Sequence, residues 1–139
     1  MREIIFRGKR LDNGEWIFGG ALHQTDYYGE NVDSWYIIDG TCTNDYDIGY
    51  SYAVGPSTIG QYTGRQCKNG KVFDGDIGKN IDGVFLVCWD EEKAAFVMRF
   101  LEYPFEKLYL EEMYDDTEII GNIHDNPELL LESKEECNT

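Results

Sequence analysis

The sequence predicts a mainly β fold of antiparallel strands, and three observations support this prediction. Apolar runs are short, and several are separated by Asn-Gly or Asp-Gly pairs, which close β-hairpins because both residues accept positive φ. Aromatic residues make up 14% of the chain, and such residues favour strands. The 139 residues include 15 Gly but only 3 Pro, a composition typical of a folded chain with many turns.

The N-terminal part predicts one hairpin and one further strand. Residues 3–7 and 15–18 are rich in β-forming side chains and flank the turn Asp12-Asn13-Gly14. Residues 35–38 (WYII) are the next predicted strand. Residues 39–57 are mostly Gly, Thr, Asn, Asp, Tyr and Ser, so we predict a surface loop. This loop is either a partner-contact segment or an irregular excursion that packs its tyrosines on the core.

The centre of the predicted fold is residues 72–77 followed by the strand at residues 84–89. The turn at Asp82-Gly83 separates them, and residues 84–89 (VFLVCW) place apolar side chains on both faces of the pleat. We therefore expect that strand to be buried on both sides. Residues 94–100 can pair back against it, and such a meander is typical of small closed barrels.

The C-terminal part predicts a short helix, a last strand and a second helix start. Pro104, Phe105, Leu108 and Glu112 have helical spacing, with Pro in a position that the first turn accepts. Residues 118–123 predict the strand. Asn126-Pro127-Glu128 is typical of a helix start, because Asn can cap and Pro suits the first position.

The length predicts one cooperative domain, residues 1–139, with lobes at 1–60 and 61–132 and a frayed tail at 133–139. We expect about residues 72–123 to curl into a small SH3-like barrel, with the N-terminal hairpin packed beside it. Exposed strand edges and abundant aromatic residues favour a homo-oligomer, whereas the net charge of −15 opposes close approach of two copies.

Charge and hydropathy exclude several partner classes. The 27 acidic residues outnumber the 12 basic ones, and this excess disfavours direct binding of nucleic acid, whose phosphates are bound by Lys and Arg. No apolar run reaches the roughly 18 residues of a membrane helix. The start Met1-Arg2-Glu3 is unlike a leader peptide, so we expect a cytoplasmic protein without a membrane partner.

The cysteines predict neither disulfides nor a zinc site. They lie far apart and form no CxxC pair, and we expect them to be reduced and to bind no metal or cofactor. The four positions are Cys42, Cys67, Cys88 and Cys137.

The triplet Asp74-Gly75-Asp76 is the one candidate metal site. Its two carboxylates can face a cation, but the other oxygen ligands and the distal Glu of a calcium loop are missing. We interpret the triplet instead as a bend in which Gly75 has positive φ and the Asp side chains cap backbone N–H groups.

Other catalytic signals are weak. His23 and His124 are far apart in sequence, and either can join Cys88 or a carboxylate only if the fold brings them together. An ordinary packed or surface histidine is the simpler interpretation. Phosphate-binding loops of the GxxxxGK[ST] type and GxSxG nucleophile elements are absent, so the catalytic residues are unknown.

Four blocks, in this order, cover nearly the whole chain: residues 5–10 (IFRGKR) with 14–19 (GEWIFG), 58–64 (TIGQYTG), 68–77 (KNGKVFDGDI) and 119–130 (IIGNIHDNPELL). Together they resemble the YopX family of small phage and prophage proteins. Arg65-Gln66-Cys67 stands where that family usually has Leu-x-Asp, and Phe73-Asp74 replaces the more usual Tyr-Glu. Both differences leave the turn and the strand direction intact.

The resemblance implies a mostly β protein that is encoded by a phage or prophage and acts inside a bacterial cell, and it supplies no catalytic residues. We therefore expect an accessory protein that acts as a non-catalytic protein-binding module. One alternative is a metal-assisted hydrolase using Asp74, Asp76 and a histidine that the fold brings near them. Another is an acidic mimic of nucleic acid that occupies a host protein's basic groove.

Overall fold

The computed structural model describes residues 3–39, 50–102 and 107–130. Within these ranges the chain is mainly β and its strands pair antiparallel, which confirms the predicted fold class. The strands are β1 Phe6–Lys9, β2 Trp16–Tyr27, β3 Glu30–Asp39, β4 Tyr50–Val54, β5 Gly60–Cys67, β6 Gly70–Phe73, β7 Asp76–Asn80, β8 Gly83–Asp90, β9 Ala95–Phe100, β10 Lys107–Tyr109 and β11 Glu118–Asn122. No helix in the described part of the chain is long and apolar enough to cross a membrane.

The chain divides into two compact units, and the boundary lies inside β5. The N-terminal unit ends at Tyr62 and the C-terminal unit begins at Thr63. The N-terminal unit contains β1 to β4 and the first residues of β5, and the C-terminal unit contains the remaining strands.

Strands of the N-terminal unit lie in the order β4–β3–β2–β1–β5. The first predicted hairpin is confirmed: β1 pairs with β2, and Gly14 has φ 73° in the turn between them. The free side of β4 also meets the end of β1. Leu11 N donates to Ala53 O at 3.0 Å, and Gly55 N donates to Lys9 O at 2.9 Å. Strands β1 to β4 therefore form a closed ring.

A small apolar core fills this ring. Ile17, Ile37 and Val54 are buried, and five partly buried side chains pack against them: Phe6, Ala21, Trp35, Tyr52 and Ile59. Gly8 leaves room for this packing, since a Cβ at that position would lie 3.0 Å from Val54 Cβ.

The prediction of a surface loop at residues 39–57 is wrong for the second half of that range. Residues 50–54 form β4, and a 3₁₀ turn follows at Pro56–Thr58. Residues 40–49 lie outside the described residues. The sequence concealed β4 because its Tyr, Ser and Ala side chains show no apolar period, and its strand form depends on pairing with β3, where Ile37 faces Tyr52.

The first hairpins also differ from their predicted extent, because β2 continues to Tyr27 and β3 begins at Glu30. Polar residues between Gln24 and Ser34 gave no strand signal, yet their backbones pair across the hairpin. Cross-strand hydrogen bonds form whatever the side chains are, so the hairpin extends past its apolar part.

The C-terminal unit is built on an antiparallel sheet in the order β10–β9–β8–β7–β11. Its core cluster is larger and comprises Val72, Phe85, Val87, Met98, Phe100, Leu110 and Met113. Phe85 pairs with Phe100 across β8 and β9, and a Cβ at Gly78 would lie 2.3 Å from Phe85 Cζ. Gly78 is thus required beneath that ring.

Burial of β8 on both faces is confirmed only in part. Phe85 and Val87 have no exposed surface on one face. Leu86 and Cys88, on the other face, are half-buried. Trp89 is 49% exposed, because it lies near the end of the strand and its cross-strand neighbour Phe96 is itself only half-buried.

The meander from β7 to β10 is consistent with the predicted SH3-like barrel, but the sheet is not closed. Strands β10 and β11 are the two ends of the strand order in the described residues. The turn predicted at Asp82-Gly83 is confirmed, and Asn69-Gly70 is one of the Asn-Gly pairs that close a hairpin, with positive φ at both glycines.

The predicted helix around residues 104–112 is wrong over its described part. Residues 107–109 form β10, and Leu110–Glu112 form a 3₁₀ turn. Leu108 pairs with Met98 on β9, and this partner strand overrides the local helical spacing. Residues 103–106 lie outside the described residues. The second helix start is confirmed as helical residues at 128–130, while the tail at 133–139 lies outside the described residues.

Candidate functional site

The bend at Asp74-Gly75-Asp76 is the first candidate site, and its backbone is held from two sides. Gly75 has φ 92°, the positive value that was predicted. Its N–H donates to Val87 O at 2.9 Å, and its carbonyl accepts from Ile123 N at 3.0 Å. The bend therefore joins β8 to the end of β11.

The Asp76 side chain has a structural role in this bend. It is only 2% exposed, and its Oδ2 accepts a hydrogen bond from Phe73 N at 2.7 Å. This contact is the predicted cap of a backbone N–H group. Within the described ranges, no three His, Cys, Asp or Glu side chains are grouped as metal ligands would be.

The histidines lie in different units. In the N-terminal unit, His23 Nε2 lies 2.6 Å from Asp33 Oδ1, and its ring stacks on Trp35 with centroids 3.9 Å apart. In the C-terminal unit, His124 N donates to Asn122 Oδ1 at 2.9 Å in the turn after β11. The ring contacts of His23 are with its own hairpin, as is typical of a structural histidine, and the His124 contact is made by its backbone N–H.

Cys88 lies beside charged groups but is not activated by them. Burial raises the pKa of its thiol, and the positive charge of Arg99 offsets this only in part. A thiol with a raised pKa holds little thiolate near neutral pH and is a poor nucleophile. The raised pKa of Cys88 therefore does not support a catalytic site formed by this cysteine and a histidine.

Asp90, near the end of β8, is a buried carboxylate with a cationic neighbour. Its Oδ1 accepts from Glu92 N at 3.2 Å, and Lys107 Nζ lies 3.5 Å from its Oδ2. Lys107 comes from β10, so the ion pair spans β9. We assign it a structural role in joining these strands.

A pocket of about 230 Å³ lies in the C-terminal unit, lined by residues 65–68 and 113–115. Its two basic side chains already have partners in the chain: Arg65 Nη2 donates to Glu111 O at 3.5 Å, and Lys68 Nζ lies 3.6 Å from Glu118 Oε2. The pocket therefore points to no particular ligand.

The strongest candidate is the part of the β2–β3 hairpin beyond the rest of the sheet, which we call the arm and define as residues 23–35. Pairing of β2 with β1 ends at Gly19, and pairing of β3 with β4 ends at Trp35. Among the described residues, positions 23–34 pair only across this hairpin, and Trp35 at the base of the arm also pairs with Val54 of β4. Residues 25–31 are all exposed.

The base of the arm is fixed by side-chain contacts. His23 and Trp35 are directly opposite each other in the two strands, and their rings lie within 6° of parallel. Asp33 holds the same imidazole from the neighbouring position on β3. These contacts order a two-stranded ribbon that would be marginal by itself.

The tip of the arm carries two exposed tyrosines in an uncommon backbone geometry. Tyr28 has φ 49° and Gly29 has φ 83°, as in a type I′ turn, and Asp26 Oδ1 accepts from Gly29 N at 3.0 Å. Tyr28 is 91% exposed and meets Tyr27 edge to face, with ring centroids 4.6 Å apart. Asn is the favoured residue at the Tyr28 position, and a bulky side chain there is strained.

The arm is also strongly anionic. The chain has no Lys or Arg between Arg10 and Arg65. The arm itself contributes Asp26, Glu30 and Asp33. Sequence reasoning missed this site, although Tyr27-Tyr28-Gly29-Glu30 contains one signal for it: a Gly that supplies positive φ between two stretches able to pair.

Comparison with curated proteins finds no match. A model of the YopX protein family matches residues 5–131, which include every strand described above. The match covers most of the chain and agrees with the four blocks identified in the sequence. The chain therefore belongs to the YopX protein family.

Proposed function

We propose that this YopX-family protein is a phage- or prophage-encoded accessory protein that acts as a non-catalytic protein-binding module in the cytoplasm of the bacterial host. The observation that carries the proposal is Tyr28, an exposed aromatic residue at positive φ on the tip of the arm. Exposed tyrosines are common anchors of protein interfaces.

The backbone strain at Tyr28 supports this proposal. An exposed side chain that gains little from burial would ordinarily be replaced by Asn or Gly in such a turn. Strained residues persist where surrounding structure holds them, and they cluster at functional sites. A partner bound at the tip would contact the Tyr28 ring, and this contact would offset the cost of the strained backbone.

No observation favours a second function over this one. The hydrolase alternative needs Asp76 to face a metal, whereas Asp76 is buried and its Oδ2 is bonded to Phe73 N. The arm presents no nucleophile activated by a neighbouring base, and its histidine is stacked and paired.

The test is photocross-linking inside host cells that express the protein. A photoreactive phenylalanine derivative replaces Tyr28 in one variant and Tyr50 in another, because Tyr50 is also highly exposed, at 76%, but lies outside the arm. We expect a discrete protein adduct from position 28 and none of the same mass from position 50. Identical adduct patterns from both positions, or none from position 28, would contradict the proposal.

A further inference from the structure

Building on the proposed function, we propose that the surface recognised by the arm is a basic groove on a protein partner. Tyr28 enters this groove as an apolar anchor, and Asp26, Glu30 and Asp33 face Lys and Arg side chains along its walls. The arm would then be the part of the chain that acts as an acidic mimic of nucleic acid in a basic groove.

Charge selects the class of partner. The three carboxylates lie on a ribbon whose only basic side chain is His23, and His23 already faces Asp33. Phosphate backbones and anionic lipid surfaces repel such a ribbon. A cationic protein surface attracts it, because complementary charge accelerates encounter and fixes orientation.

The arm's shape favours a groove over a flat surface. Its described residues form a two-stranded antiparallel ribbon, about 5 Å between strand axes, exposed on every side near the tip. Charged side chains on both strands oppose the addition of a further strand along its edges. The tip, with its two tyrosine rings, is therefore the part that makes the apolar contact.

Internal contacts prepare the arm for binding. The His23–Trp35 stack and the Asp33 contact order its base, and the Asp26–Gly29 hydrogen bond orders its tip. A ligand that is already ordered loses less conformational entropy when it binds. The arm can therefore bind without refolding.

The test measures binding to two defined probes, a 16-residue peptide of alternating Arg and Leu and a matched peptide of alternating Glu and Leu, by fluorescence anisotropy. Glu30→Lys replaces a negative charge of the arm with a positive one, and Glu91→Lys makes the same change at an exposed turn of the C-terminal unit. Tyr28→Asn keeps a residue that the turn favours, and Tyr50→Asn is its control.

We expect the wild type to bind the basic peptide and not the acidic one, with weaker binding at higher salt. Glu30→Lys should weaken binding by about tenfold and Glu91→Lys by less than about twofold, since only the first charge faces the probe. Tyr28→Asn should weaken it by about fivefold and leave its ionic-strength dependence unchanged, because the lost contact is apolar.

Equal weakening by Glu30→Lys and Glu91→Lys would overturn the inference, because overall charge alone would then explain the binding. Failure of the basic peptide to bind would also overturn it. If the cross-link at position 28 forms in cells and Glu30→Lys does not reduce it, the proposed function stands and the basic groove is wrong. If the cross-link itself does not form, the proposed function fails first.

Discussion

The two units of this protein are stabilised in different ways. Among its described residues, the N-terminal unit has only Ile17, Ile37 and Val54 in its buried cluster, and backbone hydrogen bonds close its ring of strands. The C-terminal unit buries seven residues in one cluster under a sheet that stays open. The unit with the small core carries the exposed arm. The proposed binding element and the larger buried core therefore lie in different units.

The largest expected effect tests the C-terminal core. Phe85 has no exposed surface and pairs with Phe100, so Phe85→Ala should lower the free energy of unfolding by about 3–5 kcal/mol. Urea unfolding followed by far-UV circular dichroism measures it, because Trp89 is the one tryptophan of the C-terminal unit and is replaced in the control. Trp89→Ala, at a half-exposed position of the same strand, is the control and should cost much less. A similar loss in both variants would show that the cluster is not the main source of stability.

The bend at Gly75 provides the second test. Its φ of 92° is unfavourable for a β-branched residue, so Gly75→Val should cost about 1–3 kcal/mol. Asp76→Asn should cost less, because its amide oxygen can still accept from Phe73 N.

Thermal melts of both bend variants with and without Mg²⁺, Mn²⁺, Ca²⁺ and Zn²⁺ separate the structural role from a metal site. We expect no ion to raise the melting temperature of the wild type specifically. An ion that stabilises the wild type but not Asp76→Asn would restore the hydrolase alternative. A wild-type melting temperature for Gly75→Val would show that the bend is not strained.

The ion pair of Asp90 and Lys107 gives a smaller effect. Lys107→Met keeps the aliphatic stem and leaves the buried Asp90 without its cation, which should cost about 1–2 kcal/mol. The double variant with Asp90→Asn should recover part of the loss. Chemical denaturation of the two single variants and the double variant gives the coupling energy. A coupling energy of zero would show that the ion pair does not stabilise this sheet.

At the tip of the arm, replacement of Tyr28 should increase the stability of the protein. Tyr28→Asn places a favoured residue at φ 49°, so it should stabilise the protein by about 0.5–1 kcal/mol while weakening partner binding. Differential scanning calorimetry measures the first effect, and cross-linking from the neighbouring position 27 measures the second. A variant that is destabilised would show that the tyrosine contributes to folding, and its positive φ would then not point to partner binding.

The smallest effect concerns the turn of the first hairpin. Arg10 donates to both carboxylate oxygens of the exposed Asp12, and these hydrogen bonds lower the pKa of Asp12. The folded pKa lies below the unfolded value, so the small stabilisation is present above the unfolded pKa and is lost as pH falls through the folded one. An NMR titration of the Asp12 carboxyl should show this depression, and Arg10→Gln should reduce it, because backbone hydrogen bonds from Asp12 and Asn13 also lower the pKa. An unchanged titration in that variant would contradict the contact.

The positions of the tight turns and of the central strands were predictable from the sequence, because both depend on local chemistry. Gly14, Gly70, Gly75 and Gly83 all have positive φ, as their places between apolar runs indicated. Residues 84–89 form the body of β8, because a continuous apolar run has no stable place except in a core. The cap by Asp76 follows from the same local geometry.

The tertiary structure alone decided which polar segments became strands. β4 and β10 carry weak or contrary local signals, and each is strand because a neighbour offers a complete row of backbone partners. Ring closure between Lys9–Leu11 and Ala53–Gly55 joins segments more than 40 residues apart, and no local pattern encodes such a distance. The arm has the same origin: its strands pair beyond the apolar part of the hairpin, which places Tyr28 at an exposed tip. Backbone hydrogen bonding is independent of side-chain type, so register between distant strands, rather than composition, determined where the candidate site lies.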